Sequence, residues 1–219
     1  MFKTEELGEL AAAALKDGWA SGSGALDQVR QSAVRLGWSE VPLRRGDPPV
    51  TALRPLDACQ ARPNSLSARY GKGALPLHTD GAHLSEPPDL VLLAADQPSA
   101  VPTLLWKHAS MKRPRSEHTA LQHGVFLVDR GADSFLCTAL AGHRLRYDPG
   151  CMTPCDERSR MVAHVFSQAV EWAVEYRWEH PGQILLIDNR QVLHARAAAD
   201  DEPGRELQRV AYRLKEATT

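Results

Sequence analysis

Cysteine is scarce in this sequence, and neither a long apolar run nor a marked excess of one charge is present. The four cysteines among 219 residues are Cys59, Cys137, Cys151 and Cys155. They are too few and too scattered for a disulfide framework, so we expect free thiols. Cys151 and Cys155 have no second pair nearby and no histidine at zinc-finger spacing, which indicates two cysteines in a turn.

The charges of the chain nearly cancel, because 26 Lys and Arg residues oppose 27 Asp and Glu residues. The net charge of -1 gives no general field that attracts phosphate backbones or anionic membranes, so nucleic acid is not expected as a partner. No apolar run reaches the ~18 residues of a membrane span, and the acidic start lacks the pattern of a signal peptide. We therefore expect a cytoplasmic protein without a membrane partner; its oligomeric state is not legible from composition.

The length of the chain predicts one domain over residues 1–219, and 43% apolar residues suffice for a sizeable core. Within residues 1–40, apolar spacing predicts two helices joined by a flexible glycine-containing segment. Thr4 is expected to cap the first helix and Gly18 to end it, and Gly37 should end the second. Residues 44–63 are rich in proline and charge, which predicts an irregular cover.

Short apolar runs broken by Gly, Pro, Asp and Asn make up most of the remaining chain. They are LSARY, LVLLAA, TLLW, VFLV, FLCTAL, RLRY, ILLI, VLHAR and LQRVAYRL. So many short strands favour an antiparallel sandwich or barrel. A helical insert over residues 156–175, capped by Asp156, is predicted from its apolar spacing. ILLI, a turn at 188–190 and VLHAR are predicted as a strand, a turn and a return strand.

The segment Leu77-His78-Thr79-Asp80-Gly81 carries the first chemical signal. In an extended chain, alternation puts His78 and Asp80 on one face and Thr79 on the other. A second histidine, His194, ends the run ILLIDNRQVLHAR. Two histidines and one carboxylate, with three positions left open, describe the facial triad that holds iron(II) for oxygen chemistry.

The segment GRELQRVAYR, which follows His194, contains three arginines, Arg205, Arg209 and Arg213. Read as a strand, this segment places Arg205, Leu207 and Arg209 on one face, so two guanidinium groups would point inward. Because an unpaired buried charge is costly, an anion should meet them, and a guanidinium fork suits a dicarboxylate. The alternative is an exposed edge strand whose arginines are solvated or paired with Glu206 and Asp201.

The chain resembles the iron(II)- and 2-oxoglutarate-dependent dioxygenases of the taurine dioxygenase/TfdA and clavaminate synthase type. The resemblance covers residues 65 to 213 and is best in three blocks: LPLHTDGAHLSEPPDLVLLAA, VPTLLW and ILLIDNRQVLHARAAADDEPGRELQRVAYR. It implies a mainly β fold with flanking helices around a double-stranded β-helix, or jelly roll, core.

The resemblance also implies roles for individual residues. His78, Asp80 and His194 would bind Fe(II), while Arg205 would pair with the distal carboxylate of 2-oxoglutarate. Thr103 would add a hydroxyl to that carboxylate, although relatives commonly have a glycine pair before it where this chain has residues 100–102. Arg209 lies where relatives place an arginine near the substrate or near the inner carboxylate of 2-oxoglutarate.

The activity implied is an oxygenase that uses Fe(II), 2-oxoglutarate and O2 and releases succinate and CO2. It would oxidise, most simply by hydroxylation, an unactivated C–H bond of a small molecule. Asp80 stands where a halogenase would need a vacated chloride site, which favours oxygen chemistry. Clustered arginines indicate a carboxylate-bearing or amino-acid-like substrate, and the candidates for its binding site are Arg209, Arg146, Tyr147 and His83.

Two other functions are compatible with the same residues. A cupin-like metal protein could use a different ion for a non-oxidative reaction, in which case Arg205 would have no dicarboxylate to bind. A non-catalytic sheet domain could bind another protein, in which case the histidines would be incidental.

Overall fold

Short strands and five α-helices form the chain, whose computed structural model describes residues 2–110, 114–202 and 204–215. The helices are α1 (Thr4–Asp17), α2 (Leu26–Arg35), α3 (Leu66–Tyr70), α4 (Arg115–His123) and α5 (Glu157–Gln168). The strands are β1 (Trp19–Ser23), β2 (Ser39–Glu40), β3 (Val50–Leu53), β4 (Leu90–Ala95), β5 (Ser99–Lys107), β6 (Val125–Val128), β7 (Phe135–Thr138), β8 (Leu140–Ala141), β9 (Arg144–Leu145), β10 (Met152–Pro154), β11 (Val174–Trp178), β12 (Gln183–Asp188), β13 (Val192–Arg196) and β14 (Leu207–Arg213).

The largest sheet has the strand order β1-β12-β4-β14-β2, and β3 also pairs with β14. Its outer face packs against α1 and α2, with Leu90 and Leu92 of β4 in the same cluster as Leu7 of α1 and Val29 of α2. The alternate residues of β4, such as Val91, point to the inner face. Because both faces are covered, the run LVLLAA is apolar throughout instead of alternating with polar residues.

A second sheet, with the order β11-β5-β13, lies opposite the first. Leu105, Trp178 and Val192 of this sheet share one buried cluster with Leu185 and Ile187 of the large sheet. Two facing antiparallel sheets with helices outside form the jelly roll, so the predicted fold class is confirmed.

A third sheet, with the order β10-β6-β7, closes one side of the molecule together with α4 and α5. Phe126 and Met152 of the sheet pack with Leu121 of α4 and Phe166 of α5. Asp156 caps α5 as predicted, since its side chain accepts a hydrogen bond from the Ser159 N–H at 2.7 Å.

The predicted hairpin of ILLI and VLHAR is wrong. The turn at 189–191 does not return the chain along the same sheet, because β12 pairs with β1 and β4 while β13 pairs with β5. The chain therefore crosses from the large sheet to the second sheet within this turn. The crossing places His194 on the second sheet and puts Asn189 of the turn against Asp80.

Several local predictions also need correction. LSARY forms the short helix α3, because the Ser65 hydroxyl accepts the Ala68 N–H and caps it. The segment expected to be a flexible joint forms β1, and the irregular cover contains β3, since each finds an open sheet edge to pair with. The insert remains α-helical only to Gln168, and β11 begins at Val174. The N-cap of α1 is Lys3, whose N–H donates to Glu6 at 2.9 Å, so Thr4 is not the cap.

All four cysteines are free, as predicted. Among the helices of the described ranges, none combines the length and the hydrophobicity that a membrane crossing requires.

Candidate metal centre

Main-chain hydrogen bonds bring the two histidines together. The His78 N–H donates to the His194 carbonyl at 3.0 Å, and the His194 N–H donates to the His78 carbonyl at 2.9 Å. This antiparallel bridge attaches the segment around His78 to β13, and the two imidazole centroids lie 4.6 Å apart. A directly opposed pair points its side chains to the same side of a sheet, so both rings lie on one side of the bridge.

Asp80 completes the cluster. Potential ligand atoms of His78, Asp80 and His194 all lie within 4.8 Å of one another, and Asp80 Oδ2 is 3.6 Å from His194 Nε2. His78 Nδ1 lies 3.0 Å from the Pro76 carbonyl, which leaves Nε2 of that ring as an acceptor. The structure therefore gathers the three residues that the sequence singled out.

Thr79 points away from the cluster, as strand alternation predicts. Its hydroxyl accepts the Tyr147 N–H at 3.1 Å, and its own N–H donates to the Tyr147 carbonyl at 2.7 Å. These bonds anchor the ligand segment to the chain around residue 147 while leaving His78 and Asp80 free to face inward.

The charges around Asp80 keep it ionised. Burial would raise the pKa of this carboxyl, yet the charge of Arg209, helped by His194 and His78, holds it well below its usual range. Arg209 Nη1 donates to Asp80 Oδ1 at 2.6 Å. For His78, burial and the neighbouring His194 lower the pKa, so the imidazole stays neutral.

Two buried atoms of the cluster have no hydrogen-bond partner among the described residues: Asp80 Oδ2 and His194 Nδ1. An unsatisfied buried carboxylate oxygen is costly unless a cation meets it. Two imidazoles and a carboxylate, with one carboxylate oxygen left open, fit a divalent transition metal held by one face. The Arg209 bond to Oδ1 leaves Oδ2 as the oxygen available to such an ion.

Asn189 was missed as a site residue by the sequence analysis, which placed it in a turn. Its side chain is buried, accepts the Asp80 N–H at 2.8 Å and donates to the Asp80 carbonyl at 3.0 Å. Short polar residues are ordinary in turns, so this signal could not be separated from turn chemistry.

Arg205 lies just before β14, although the sequence was read as a strand already there. It is only 5% exposed, and its Nε has no hydrogen-bond partner within the described residues. Burial, and then the charge of Arg196, lower the pKa of Arg205 to about 10. The pairing with Glu206 that was the alternative is not seen, since Glu206 pairs with Arg54. The charge of Glu202 opposes this lowering of the pKa of Arg205, but Nε is left without a partner and could be satisfied by an anion from outside the chain.

Thr103 lies on β5 opposite Arg196 of β13, in the region that also holds Arg205. Its hydroxyl is buried and accepts the Trp178 Nε1–H at 3.1 Å, which leaves the hydroxyl proton for another acceptor. Residues 100–102, where relatives commonly have a glycine pair, belong to β5, and Glu202 accepts the N–H groups of Ala100 and Val101.

The other candidate substrate residues are held by protein contacts. Arg146 donates to the carbonyls of Ala82, Leu84 and Ser85, and so fastens the loop that follows Asp80. His83 Nε2 lies 2.7 Å from the Leu43 carbonyl. Tyr147 is buried against Phe126 and Phe166, and burial raises its pKa to about 12. Arg209 is the member of this group that contacts a metal-cluster residue directly.

Asp148 is an acidic residue that the sequence analysis did not single out. It is half-buried, and its charge acts on the His78 imidazole. One carboxylate oxygen, Oδ1, accepts the Gly150 N–H at 2.7 Å. The cluster thus has a cation, Arg209, and an anion, Asp148, in its surroundings.

Residues 105–211 match the family described as taurine catabolism dioxygenase TauD, TfdA family. The matched segment contains His194, Arg205 and Arg209. No curated protein matches the chain in sequence.

Solved structures share the fold. An asparagine oxygenase in complex with Fe(II), 2S,3S-3-hydroxyasparagine and succinate superposes with a TM-score of 0.72 at 16% identity, over 95% of this chain and 78% of that one. The non-heme iron oxygenase OrfP, in complex with Fe, succinate and (3S)-hydroxy-L-Arg, gives 0.67 at 17% identity, over 94% and 78%. PvcB from Pseudomonas aeruginosa gives 0.66 at 17% identity, over 94% and 79%. The family match over residues 105–211, the shared fold and the gathered triad all agree with the resemblance to the TauD, TfdA dioxygenases that the sequence motifs indicate.

Proposed function

We propose that the chain is an Fe(II)- and 2-oxoglutarate-dependent oxygenase that hydroxylates a C–H bond of an amino-acid-like substrate. The observation that carries this proposal is the combination of an open, buried metal triad with a buried arginine that lacks an anion. His78 Nε2, His194 and Asp80 Oδ2 would hold the iron. Arg205 would take the distal carboxylate of 2-oxoglutarate, with the hydroxyl of Thr103 as a second donor.

When bound, iron and 2-oxoglutarate supply the oxidising power for O2 chemistry, with release of succinate and CO2. The residues of the chain determine placement. The Pro76 carbonyl fixes the tautomer of His78, and Arg209 keeps Asp80 ionised with one oxygen turned to the metal. The apolar residues between the sheets exclude water from the interior behind the site.

The charges near the triad favour a substrate that carries both a negatively and a positively charged group. Arg209 uses Nη1 for Asp80, and no hydrogen bond from its Nε or Nη2 to another described residue is seen. These donors could bind a substrate carboxylate, while Asp148 could accept a hydrogen bond from an ammonium or guanidinium group. Two of the structural neighbours contain a hydroxylated amino acid, which agrees with this substrate class.

The test is turnover of 2-oxoglutarate. The chain is loaded with Fe(II) without oxygen, supplied with 2-oxoglutarate and a panel of L-amino acids, and then exposed to air. Succinate should form fastest with one amino acid, whose product has gained one oxygen atom, and Asp80→Ala should form none. If the iron-loaded chain forms no succinate with any member of the panel, the proposed activity is wrong.

Arg205→Met separates this activity from that of a cupin-like protein with a non-oxidative reaction. An oxygenase needs Arg205 for its cosubstrate, so the variant should require far more 2-oxoglutarate. A metal-dependent activity that survives unchanged in Arg205→Met would favour the cupin-like alternative. Arg209→Gln is the matched variant, which should raise KM for the amino acid more than KM for 2-oxoglutarate.

A further inference from the structure

Asn189 makes the contact that ties the metal cluster to the turn between the sheets. Its side chain is 1% exposed and forms three hydrogen bonds. Oδ1 accepts the Asp80 N–H at 2.8 Å, while Nδ2 donates to the Asp80 carbonyl at 3.0 Å and to the Pro88 carbonyl at 3.0 Å. Both peptide groups of a metal-cluster residue are thus held by one side chain.

The orientation of this amide follows from its partners. A backbone N–H can only donate and a carbonyl can only accept, so Oδ1 must face the Asp80 N–H and Nδ2 the two carbonyls. Both protons of Nδ2 then have an acceptor, and the amide is used completely. Asparagine is the shortest side chain that offers an acceptor and two donors at this reach.

The Asn189 side-chain amide supplies hydrogen bonds beyond the point where main-chain pairing with β13 ends. The main-chain bridge to β13 ends at His78, and Gly81 turns the chain away with a φ of +69°. A Cβ at Gly81 would lie 2.8 Å from Pro88 Cδ, so the turn is tight. Asp80 lies between these points, outside any strand, and Asn189 supplies the hydrogen bonds that a neighbouring strand would otherwise give.

Asn189 is itself held firmly. Its N–H donates to the Asp89 carbonyl at 2.9 Å. The preceding Asp188 is fully buried, and its carboxylate accepts bonds from Arg190 Nε at 2.9 Å and Gln191 Nε2 at 2.8 Å. This turn also leads directly into β13, which carries His194. One rigid turn therefore fixes the position of two metal-cluster residues from different parts of the chain.

We propose that Asn189 is a positioning residue that sets the Asp80 carboxylate relative to His78 and His194, so that metal affinity and coordination geometry depend on it. The inference rests on the proposed metal site, and it assigns the residue no contact with substrate or metal. Residues that orient metal ligands from behind typically contribute a factor of about 10 to 100 in metal affinity.

The experiment titrates the full chain with Co²⁺ alone and follows the visible spectrum of the bound ion. Asn189→Ala should bind Co²⁺ about 10- to 100-fold more weakly than the wild type, with an altered spectrum at saturation. Asn189→Asp keeps the shape and the acceptor for the Asp80 N–H but loses the donor to the two carbonyls, so it also should weaken binding. Thermal unfolding shows that each variant is folded at the titration temperature.

Ser159→Ala is the matched control, because the Ser159 side chain is equally buried and also hydrogen-bonded: its hydroxyl accepts the Asp156 N–H at 3.0 Å and donates to Asp156 Oδ1 at 2.8 Å, at the start of α5 and away from the cluster. It should lower Tm and leave the Co²⁺ affinity and spectrum unchanged. Wild-type affinity and spectrum in folded Asn189→Ala or Asn189→Asp would overturn the inference while leaving the metal site intact. Failure of the wild type to bind Co²⁺ would instead overturn the proposed function, and with it this role.

Discussion

At the scale of single residues, Arg205 is a buried cation whose Nε has no hydrogen-bond partner within the described part of the chain. The chain places the positive Arg196 beside this guanidinium. Arg196, by contrast, donates to the Gly71 and Gly73 carbonyls. The charge of Glu202 opposes the effect of burial on Arg205 only in part, so the folded state bears an energetic cost that a bound anion would reduce.

We predict opposite effects of Arg205→Met on stability and on cosubstrate binding. Without ligands, the variant should be more stable by about 1 kcal/mol, or about 2 to 4 °C in Tm, because a buried unpaired charge is gone. With iron, KM for 2-oxoglutarate should rise about 30-fold or more. Calorimetry and steady-state kinetics measure the two effects.

Arg54→Met serves as the control, since Arg54 is 60% exposed and pairs with Glu206 at the surface. Neither quantity should change much, because exposed ion pairs contribute little. A loss of stability in Arg205→Met without ligands would contradict the idea that this arginine is held unpaired.

The metal triad could be predicted from the sequence because each ligand carries a local signal. His78 and Asp80 show the alternation of an extended segment, and His194 lies within the short strand run VLHAR. Asn189 and Asp148 carry no such signal, since Asn and Asp in turns have an adequate local explanation. The partner of Asn189 is 109 positions away, and only the folded chain brings it near.

At the scale of elements, alanine substitutions at two glycines test how much space surrounds the ends and the surface of the helices. Gly8 lies within α1, and no atom lies within 4 Å of the position that an alanine Cβ would occupy there, so Gly8→Ala should stabilise the chain by about 0.5–1 kcal/mol. At Gly124, a Cβ would lie 2.7 Å from the Ala120 carbonyl and 2.7 Å from the Ser159 N. Gly124→Ala should destabilise by about 1–3 kcal/mol, because backbone atoms cannot move aside easily.

Urea unfolding of both variants measures these changes. The pair is internally controlled, since the same methyl group is added in each case and only the surroundings differ. Equal stability of the two variants would contradict the close contact between the end of α4 and the start of α5.

The cap of α5 should make stability sensitive to acid. Hydrogen bonds from Ser159 hold the pKa of Asp156 below its ordinary value of 3.8. Its folded-state pKa is depressed, so its contribution is present above the ordinary value and is lost as pH falls through the lowered one. Asp156→Ala should lower Tm by a few degrees at neutral pH, and the difference from wild type should shrink in acid.

A pH series of thermal unfolding measures this effect. Asp156→Asn keeps an acceptor for the Ser159 N–H, so it should remain near wild-type stability at neutral pH and lose the acid dependence of the cap. A constant difference between Asp156→Ala and wild type over the whole pH range would contradict the role of the carboxylate.

Elements could be predicted where burial of one face or of both faces determines the pattern of apolar residues, as in β4, β12 and α5. Predictions failed where pairing partners decided the outcome. A turn at 189–191 between two apolar strands has the same local appearance in a hairpin and in a crossover between sheets, and only the registers of β12 and β13 distinguish them. Likewise β1 and β3 form because open edges of the large sheet are available to them.

At the scale of the whole molecule, ligands should stabilise the fold in two separate steps. Co²⁺ alone should raise Tm by satisfying Asp80 and the histidines, and 2-oxoglutarate should raise it further by satisfying Arg205. At about 100 times each Kd, each step corresponds to about 2.7 kcal/mol, or about 5–10 °C. In Arg205→Met the first step should persist and the second should vanish; persistence of both would show that the cosubstrate binds elsewhere.

The bridge between His78 and His194 joins two stretches of chain that are distant in sequence. A nascent polypeptide that has not yet emerged through β13 holds only two of the three ligands, and it has neither Asn189's finished turn nor the buried arginines that follow. If the triad binds iron as proposed, a metal ion meets all three ligands only after β13 has been synthesised and has paired with the segment around His78.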